Sequence, residues 1–210
     1  MIKVLALNGS ARKAGNTADL LKAACSGAES AGAEVKLIHL YDVDFHGCRG
    51  REACKRLGSP GFASCAVRDG LHDILEEAKA TDVVLLGSPM YFGEVSGVMR
   101  MFIERFLYPT LTYTKERLRG YTKRVRVGLF YTSNAPATTY PEWYERQRKM
   151  FEQLIGPAEY MDASETLQFD DYSKYAADMF DEAARIKRHE EVFPEDCRRA
   201  FEMGKRLATF

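Results

Sequence analysis

The sequence predicts a doubly wound α/β fold: a five-stranded parallel sheet with helices on both faces and a helical C-terminal extension. Three observations carry this prediction. Strand-like and helix-like patterns alternate along residues 1–168. Two short apolar runs, Val83–Leu86 and Val125–Phe130, read as strands buried on both faces, as parallel strands are. The first strand also runs directly into a polar, glycine-bearing loop that opens a helix.

Taken in order, Lys3–Leu7 is the first strand and Thr17–Ala31 the first helix. Glu34–His39 is the second strand, and a cysteine-bearing stretch leads from it to a helix over Gly70–Ala80. Asp82–Gly87 is the third strand and Val95–Phe106 the helix after it. Arg124–Tyr131, Pro141–Leu154 and Glu159–Leu167 supply the fourth strand, fourth helix and fifth strand. Strands in this order fit a flavodoxin-like sheet, whose ligands lie beyond the C-terminal ends of the strands. Residues 1–168 are then the ligand-binding domain and 169–210 the extension. Asp171–Arg188 has the pattern of a charged amphipathic helix; Phe193-Pro194-Glu195-Asp196 opens another, with proline near its start and acids in its first turn. Tyr172, Tyr175, Met179, Phe180, Ile186 and Phe193 give this polar extension an apolar side that wraps its own domain or reaches a neighbouring subunit.

A length of 210 residues suits a single domain with a substantial core. The formal net charge is zero, so the chain lacks the basic footprint of nucleic-acid binding or attraction to an anionic membrane. No apolar run approaches the ~20 residues of a membrane span. The N-terminus enters a strand without a signal-peptide layout, and the expected location is cytoplasmic. Five cysteines, an odd number in a chain of this size, do not suggest a disulfide framework.

The chemistry is concentrated in three loops. Asn8-Gly9-Ser10-Ala11-Arg12-Lys13-Ala14-Gly15-Asn16-Thr17 joins the first strand to a helix start. The first turn of a helix has free N–H groups and about half a positive charge, which makes it an anion site. Ser10, Asn16 and Thr17 add polar donors, and Arg12 adds a full charge. Neither a Walker ending nor Gly-x-Gly-x-x-Gly is present, so the loop suits a terminal monophosphate such as that of FMN. The bland alternative is a capped helix start. The second loop, Gly87-Ser88-Pro89-Met90-Tyr91-Phe92-Gly93-Glu94-Val95-Ser96-Gly97, offers backbone donors and ring faces to a flat heteroaromatic, or ordinary aromatic packing onto the sheet. The third, Tyr131-Thr132-Ser133-Asn134-Ala135-Pro136, offers small polar groups.

The chain resembles the NADPH-dependent FMN reductase family, and within it the iron–sulfur flavoprotein branch. The resemblance rests on Asn8-Gly9-Ser10 through Asn16-Thr17, on Gly87-Ser88-Pro89-x-Tyr91-Phe92-Gly93, and on Val95-Ser96-Gly97 leading into Met101-Phe102-Ile103-Glu104-Arg105. It covers roughly residues 1–165. It implies that Ser10, Arg12, Asn16 and Thr17 hold the phosphate, that Pro89, Met90, Tyr91, Phe92 and Gly93 line the isoalloxazine, and that Ser133 and Asn134 lie at its rim. The implied activity is NAD(P)H-dependent reduction through FMN of a small acceptor: a flavin, a quinone, a nitro or azo compound, or a metal. The flavin carries that chemistry, so no catalytic side chain is required. The alternative is an electron carrier docking to protein redox partners, a role against which the neutral charge weighs, because flavodoxins tend to be acidic. The family also implies a homodimer or homotetramer. Supporting this, the aromatic-bearing C-terminal helices exceed what a five-stranded domain needs, and Phe106–Tyr113 is too apolar for an exposed connection.

Cys48, Cys54 and Cys65 lie where that branch keeps its cysteines. The branch's compact motif expects a further cysteine three residues after Cys48, and Arg51 stands there. A cubane cluster takes four thiolates. Free thiols are therefore expected, with an iron–sulfur cluster, or zinc with His46 as a fourth ligand, as the alternatives. Cys25 and Cys197 fall in helical patterns as small apolar fillers, and His39 and His72 read as surface or core residues. The basic cluster Lys115, Arg117, Arg119, Lys123, Arg124 and Arg126 is expected to be a solvated face, with the 2′-phosphate of NADPH or an anionic substrate as the other reading.

Overall fold

The computed structural model describes residues 1–115 and 123–209. Its sheet contains β1 (Lys3–Asn8), β2 (Glu34–His39), β3 (Val83–Tyr91), β4 (Glu94–Val95), β5 (Arg126–Thr132) and β6 (Ala158–Ala163). The order is β2-β1-β3-β5-β6, all parallel, with β4 folded back antiparallel on β3. This is the predicted flavodoxin-like sheet. The helices are α1 (Asn16–Ser30), α2 (His72–Ala80), α3 (Gly97–Leu107), α4 (Pro141–Leu154), α5 (Glu182–Glu191) and α6 (Phe193–Leu207). No helix among the described residues is long and apolar enough to cross a membrane.

Alternate residues of the buried strands face opposite layers. Leu5, Leu7, Val84, Leu86, Val127 and Leu129 pack against α2, α3 and α4 through Leu75, Phe102, Phe106 and Phe151. Val4, Ala6, Val83, Leu85 and Phe130 pack against α1 and α6 through Leu20, Leu21, Ala200 and Met203. Two glycines let α1 and α6 touch backbone to backbone. A Cβ on Gly27 would lie 1.9 Å from Phe201 O, and one on Gly204 would lie 1.9 Å from Ala24 O.

Three sequence expectations are corrected. β3 runs four residues beyond Gly87 because Met90 and Tyr91 pair with Val95 and Glu94. No continuous helix spans Asp171–Arg188. A 3-10 turn at Tyr172–Lys174 is followed by α5, which starts afresh where the Asp181 carboxylate accepts from Ala184 N at 3.0 Å. Between them the aromatic residues pack locally: Phe169 stacks on Tyr175 with centroids 4.1 Å apart, and Tyr172 is buried. The last correction concerns the apolar surplus. Of the apolar residues between Tyr172 and Phe193, Tyr172 and Phe193 are buried while Tyr175, Met179 and Ile186 stay exposed; α6, which follows, packs on the α1 face of the sheet and belongs to the domain. Most of Phe106–Tyr113 packs on its own chain: Phe106, Leu107, Pro109 and Thr110 are buried and Lys55 Nζ donates to the carbonyls of Tyr108 and Leu111, while Tyr113 at its end is exposed. Cutting after Phe169 would remove α6 and uncover the part of the sheet and of α1 that it packs on, so it should destabilise the domain.

Within the basic cluster, Lys123 Nζ donates to Ala80 O (2.6 Å) and Asp82 Oδ1 (2.9 Å), and Arg126 donates to Leu207 O (2.8 Å) and Thr209 O (2.6 Å). Both flank the N-terminal end of β5, at the opposite edge of the sheet from the three loops. Arg117 and Arg119 lie outside the described residues.

Candidate functional site

Parallel register brings the loops together. Asn8 at the end of β1 pairs with His39 on one side and Gly87 on the other, and Gly87 pairs with Phe130. Asn8 is fully buried and shapes the first loop. Its Oδ1 accepts from Ser10 N at 2.9 Å, and its Nδ2 lies 2.9 Å from His39 Nδ1. Ser10 Oγ then accepts from Arg12 N at 3.1 Å. His39 is thus part of the scaffold of this loop. α1 begins after Gly15, whose φ of 132° favours glycine, and no side chain caps the helix. The N–H groups of its first turn are therefore left for an anion.

A serine pair ties this loop to the second one. Ser96 caps α3, accepting from Met99 N at 3.4 Å, while its hydroxyl donates to Gly9 O at 2.6 Å. Ser96 N donates to Ser88 Oγ at 3.0 Å. Gly9 has no room for a side chain, because a Cβ would come within 2.8 Å of Met99 Cβ. Ser96→Ala should cost about 1–2 kcal/mol of stability, the scale of a lost N-cap, measured by urea denaturation. A change below about 0.3 kcal/mol would show that the tie is idle.

Between the loops lies a polar cleft of about 200 Å³. Ser10, Arg12, Asn16, Thr17, Pro89, Met90, Tyr91, Ser133 and Asn134 all line it, as expected from the sequence. Phe92 and Gly93 do not. They form the two-residue turn between β3 and β4, with φ of 52° and 82°. Both positive values suit a primed hairpin turn, in which phenylalanine is an unfavourable choice. The Phe92 ring projects entirely into solvent. Asn16 is also placed differently from expectation: its side-chain amide donates to Leu167 O at 2.8 Å, so it offers an anion its backbone N–H rather than that amide. Arg12 donates to Gln168 O at 3.0 Å, which braces the guanidinium at the rim.

Sequence reading missed Gly15, Thr132, Thr166 and Gln168, which complete the lining. Thr132 Oγ1 lies 2.7 Å from Thr17 Oγ1 and joins the first and third loops. Thr166 and Gln168 come from the loop after β6, and the rule that ligands gather at the C-terminal strand ends points to that loop as much as to the others. Asn134 Nδ2 donates to Gln168 Oε1 at 3.3 Å, while Asn134 Oδ1 is buried without a partner. A buried orphan acceptor costs about 1–3 kcal/mol, so a ligand donor would be favoured there. Behind the cleft Tyr131 stacks on Tyr144 at 4.6 Å, and burial raises the pKa of Tyr131 well above the usual phenol value.

The cysteine stretch between β2 and α2 makes a second recess. Cys48, Cys54 and Cys65 line it together with Arg51 and Arg105. His46 does not line it; its backbone oxygen accepts from Arg105 at 3.0 Å and its backbone N–H donates to Asp69. No group of three or more His, Cys, Asp and Glu side chains among the described residues is arranged to hold a metal ion. Cys25 is buried and desolvation pushes its thiol up to about 12, consistent with a filler.

Residues 2–125 match the NADPH-dependent FMN reductase family. An iron-sulfur flavoprotein of Archaeoglobus fulgidus is 31% identical over 128 residues, 61% of this chain and 60% of that protein. An iron-sulfur flavoprotein of Methanocaldococcus jannaschii is 36% identical over 104 residues, half of this chain and 51% of that protein. The chain thus spans only about half to three-fifths of the length of these relatives. Among solved structures, the NAD(P)H:quinone oxidoreductase from Methanothermobacter marburgensis superposes with a TM-score of 0.69 at 13% identity, covering 100% of this chain and 98% of that one. An FMN-dependent NADH-azoreductase from Bacillus anthracis, solved in complex with FMN, gives 0.65 at 15% identity with both chains covered completely. At these identities the likeness is one of fold. The matched segment carries β1, the uncapped helix start, the β3–β4 hairpin and the serine tie, and through it the chain belongs to the NADPH-dependent FMN reductase family.

Proposed function

We propose that the protein is an FMN-dependent NAD(P)H oxidoreductase acting on a small acceptor such as a flavin, a quinone, a nitro or azo compound, or a metal ion. The observation that carries the reading is the cleft itself. An uncapped helix N-terminus, a braced arginine and a buried orphan acceptor are gathered along it, with Arg12 and Asn134 both bonded to Gln168. These features fit FMN, whose phosphate needs N–H donors and a cation and whose ring system carries a donor N–H. FMN, when bound, supplies the two-electron chemistry between nicotinamide and acceptor. In this reading Ser10, Arg12, Thr17 and the first-turn N–H groups of α1 bind the phosphate. Pro89, Met90 and Tyr91 form the wall beside the ring system, and Ser133 and Asn134 hold its polar rim. No side chain needs to move a proton for the reaction to run.

Flavin released by heat from the purified protein should chromatograph as FMN. FAD, or no flavin after reconstitution, would defeat the reading. Arg12→Ala should weaken FMN binding by about 1.5–3 kcal/mol, the scale of a hydrogen bond to a charged group, read by quenching of flavin fluorescence. Unchanged affinity would place the phosphate elsewhere.

A homodimer or homotetramer is part of the proposal. Its support is the β3–β4 hairpin, where an unfavourable turn residue holds a fully exposed aromatic ring beside the cleft. Light scattering at micromolar concentration should give at least twice the chain mass, and Phe92→Asn, which suits the turn, should lower it. A monomer mass for the parent protein would rule the assembly out. The electron-carrier alternative has no feature of its own in the cleft to support it.

A further inference from the structure

The resemblance to iron–sulfur flavoproteins implies a cluster, and the donor set of the second recess does not fit one. Arg51 lines it together with the three cysteines, and a guanidinium has no lone pair to offer a metal. His46 does not line the recess, and although the Glu52 carboxylate does, no group of three or more His, Cys, Asp and Glu side chains among the described residues is arranged to hold a metal. Yet the recess is a built feature. Glu52 and Ala63 both adopt left-handed backbone, at φ of 55° and 59°, a conformation that costs a non-glycine residue energy and gathers at functional sites. These two kinks fold the stretch on itself: Ala63 N donates to Cys54 O at 2.9 Å, bringing the Cys65 arm back beside Cys54. Arg105, fully buried on α3, then holds Cys65, donating to its Sγ at 3.3 Å.

We propose that Cys54 and Cys65 form a dithiol that exchanges with an anionic low-molecular-weight disulfide. The division of roles follows from the surroundings. Cys65 is half-buried, and an N–H···S hydrogen bond from Arg105 orients its Sγ; being more accessible than buried Cys54, it is the sulfur that meets the disulfide first. Cys54 is buried, burial raises its thiol pKa, and it lies close enough to Cys48 and Cys65 to feel the charge of both; the Ala63–Cys54 backbone bond is what brings the Cys65 arm to it as a resolving thiol. Arg49 and Arg51 in its lining outnumber the single acid there, Glu52, and attract an anion. The exchange balances. The Cys65 thiolate attacks one sulfur of the disulfide, and the first small thiol leaves. The Cys54 thiolate, its proton lost to solvent, attacks Cys65 Sγ, and the second small thiol leaves. Two protein thiols are oxidised to one disulfide, and one small disulfide is reduced to two thiols.

The test uses the full chain, reduced, desalted and kept anaerobic, with oxidised glutathione as the probe. Thiols titrated in denaturant should fall from five to three, the mass should fall by two hydrogens, and a peptide map should link Cys54 to Cys65. Cys54→Ser should halt at a glutathione adduct on Cys65, and Cys25→Ser and Cys197→Ser should react as the parent does. At low salt oxidised glutathione should react about tenfold faster than neutral hydroxyethyl disulfide, and added salt should narrow the gap. Retention of all five thiols, a link to Cys48, or about four irons and four sulfides per chain in the anaerobic protein would overturn the proposal. None of these readouts depends on flavin, so the reading of the first cleft stands or falls separately.

Discussion

Arg105→Met is expected to lower the free energy of unfolding by about 3–5 kcal/mol, the cost of stranding one partner of a buried ion pair. The Arg105 side chain is completely buried, and each of its three guanidinium nitrogens donates. It donates to Asp69 Oδ2 at 2.6 Å, to His46 O at 3.0 Å, to Val67 O at 3.2 Å and to Cys65 Sγ at 3.3 Å. One side chain on α3 therefore pins four residues of the segment between β2 and α2: His46, Cys65, Val67 and Asp69. Methionine fills much of the volume but leaves a carboxylate and two carbonyls without their donor. Burial works against the Asp69 carboxylate, yet its hydrogen bonds to Arg105 and to the His46 N–H hold its pKa below the usual value. A depressed carboxylate contributes stability above its unfolded pKa, about 3.9, and loses it as pH falls through the lower folded value. The gap between parent and variant in urea melts should thus be full at pH 7 and shrink in acid below pH 4. Limited proteolysis at neutral pH should cut the variant first within residues 44–70. Adding Asp69→Asn should recover part of the loss. An Arg105→Met protein within 1 kcal/mol of the parent would show that the segment is held by other contacts.

Much of the fold is legible in the sequence because parallel strands advertise themselves. Val83–Leu86 has no polar face to alternate with, and the strand it predicts sits between β1 and β5, covered on both sides. α4 begins at Pro141, where proline fits the first turn, and the whole of Pro141–Leu154 is helical. The cleft is legible for the same topological reason: every βα loop leaves the sheet at one edge. What escapes is set by tertiary contact. Nothing local announces that Leu167 O will accept from Asn16 across 151 residues, or that Gln168 will close the cleft. The position of Phe92 off the cleft is not legible because an aromatic beside a ligand loop suggests a wall, whereas the turn geometry of the hairpin sends its ring outward. Asp171–Arg188 has helical periodicity, but Asp171 and Asp181 each accept from a backbone N–H two or three residues ahead and restart the chain. The placement of α6 is not legible either, because its packing partner is α1, far away in the sequence. Its glycine at 204 carries no hydrophobic signal at all, yet it sets how closely the two helices approach.

Gly204→Ala is accordingly expected to destabilise the domain by at least about 3 kcal/mol, at the upper end of overpacking costs. In an isolated helix the same change would help, since alanine is favoured over glycine by about 1 kcal/mol. Here the added Cβ would lie 1.9 Å from Ala24 O, 2.6 Å from Ala24 C and 2.8 Å from Ala24 Cα. These are backbone atoms in the middle of α1, so no side-chain rotation relieves the overlap. Either α6 withdraws, opening the layer formed by Leu20, Leu21, Ala200 and Met203, or α1 shifts on the sheet. A shift of α1 would carry its uncapped N-terminus away from the first loop, so flavin retention should fall together with stability. Gly97→Ala is the matched control. That glycine opens α3, a methyl group added to it would meet nothing within 4 Å, and it needs no unusual backbone angle, so the change should be nearly neutral. Guanidinium melts of both variants decide the matter. If Gly204→Ala unfolds at the same denaturant concentration as Gly97→Ala, the backbone contact between α1 and α6 does not exist in solution, and α6 covers the sheet at a greater distance.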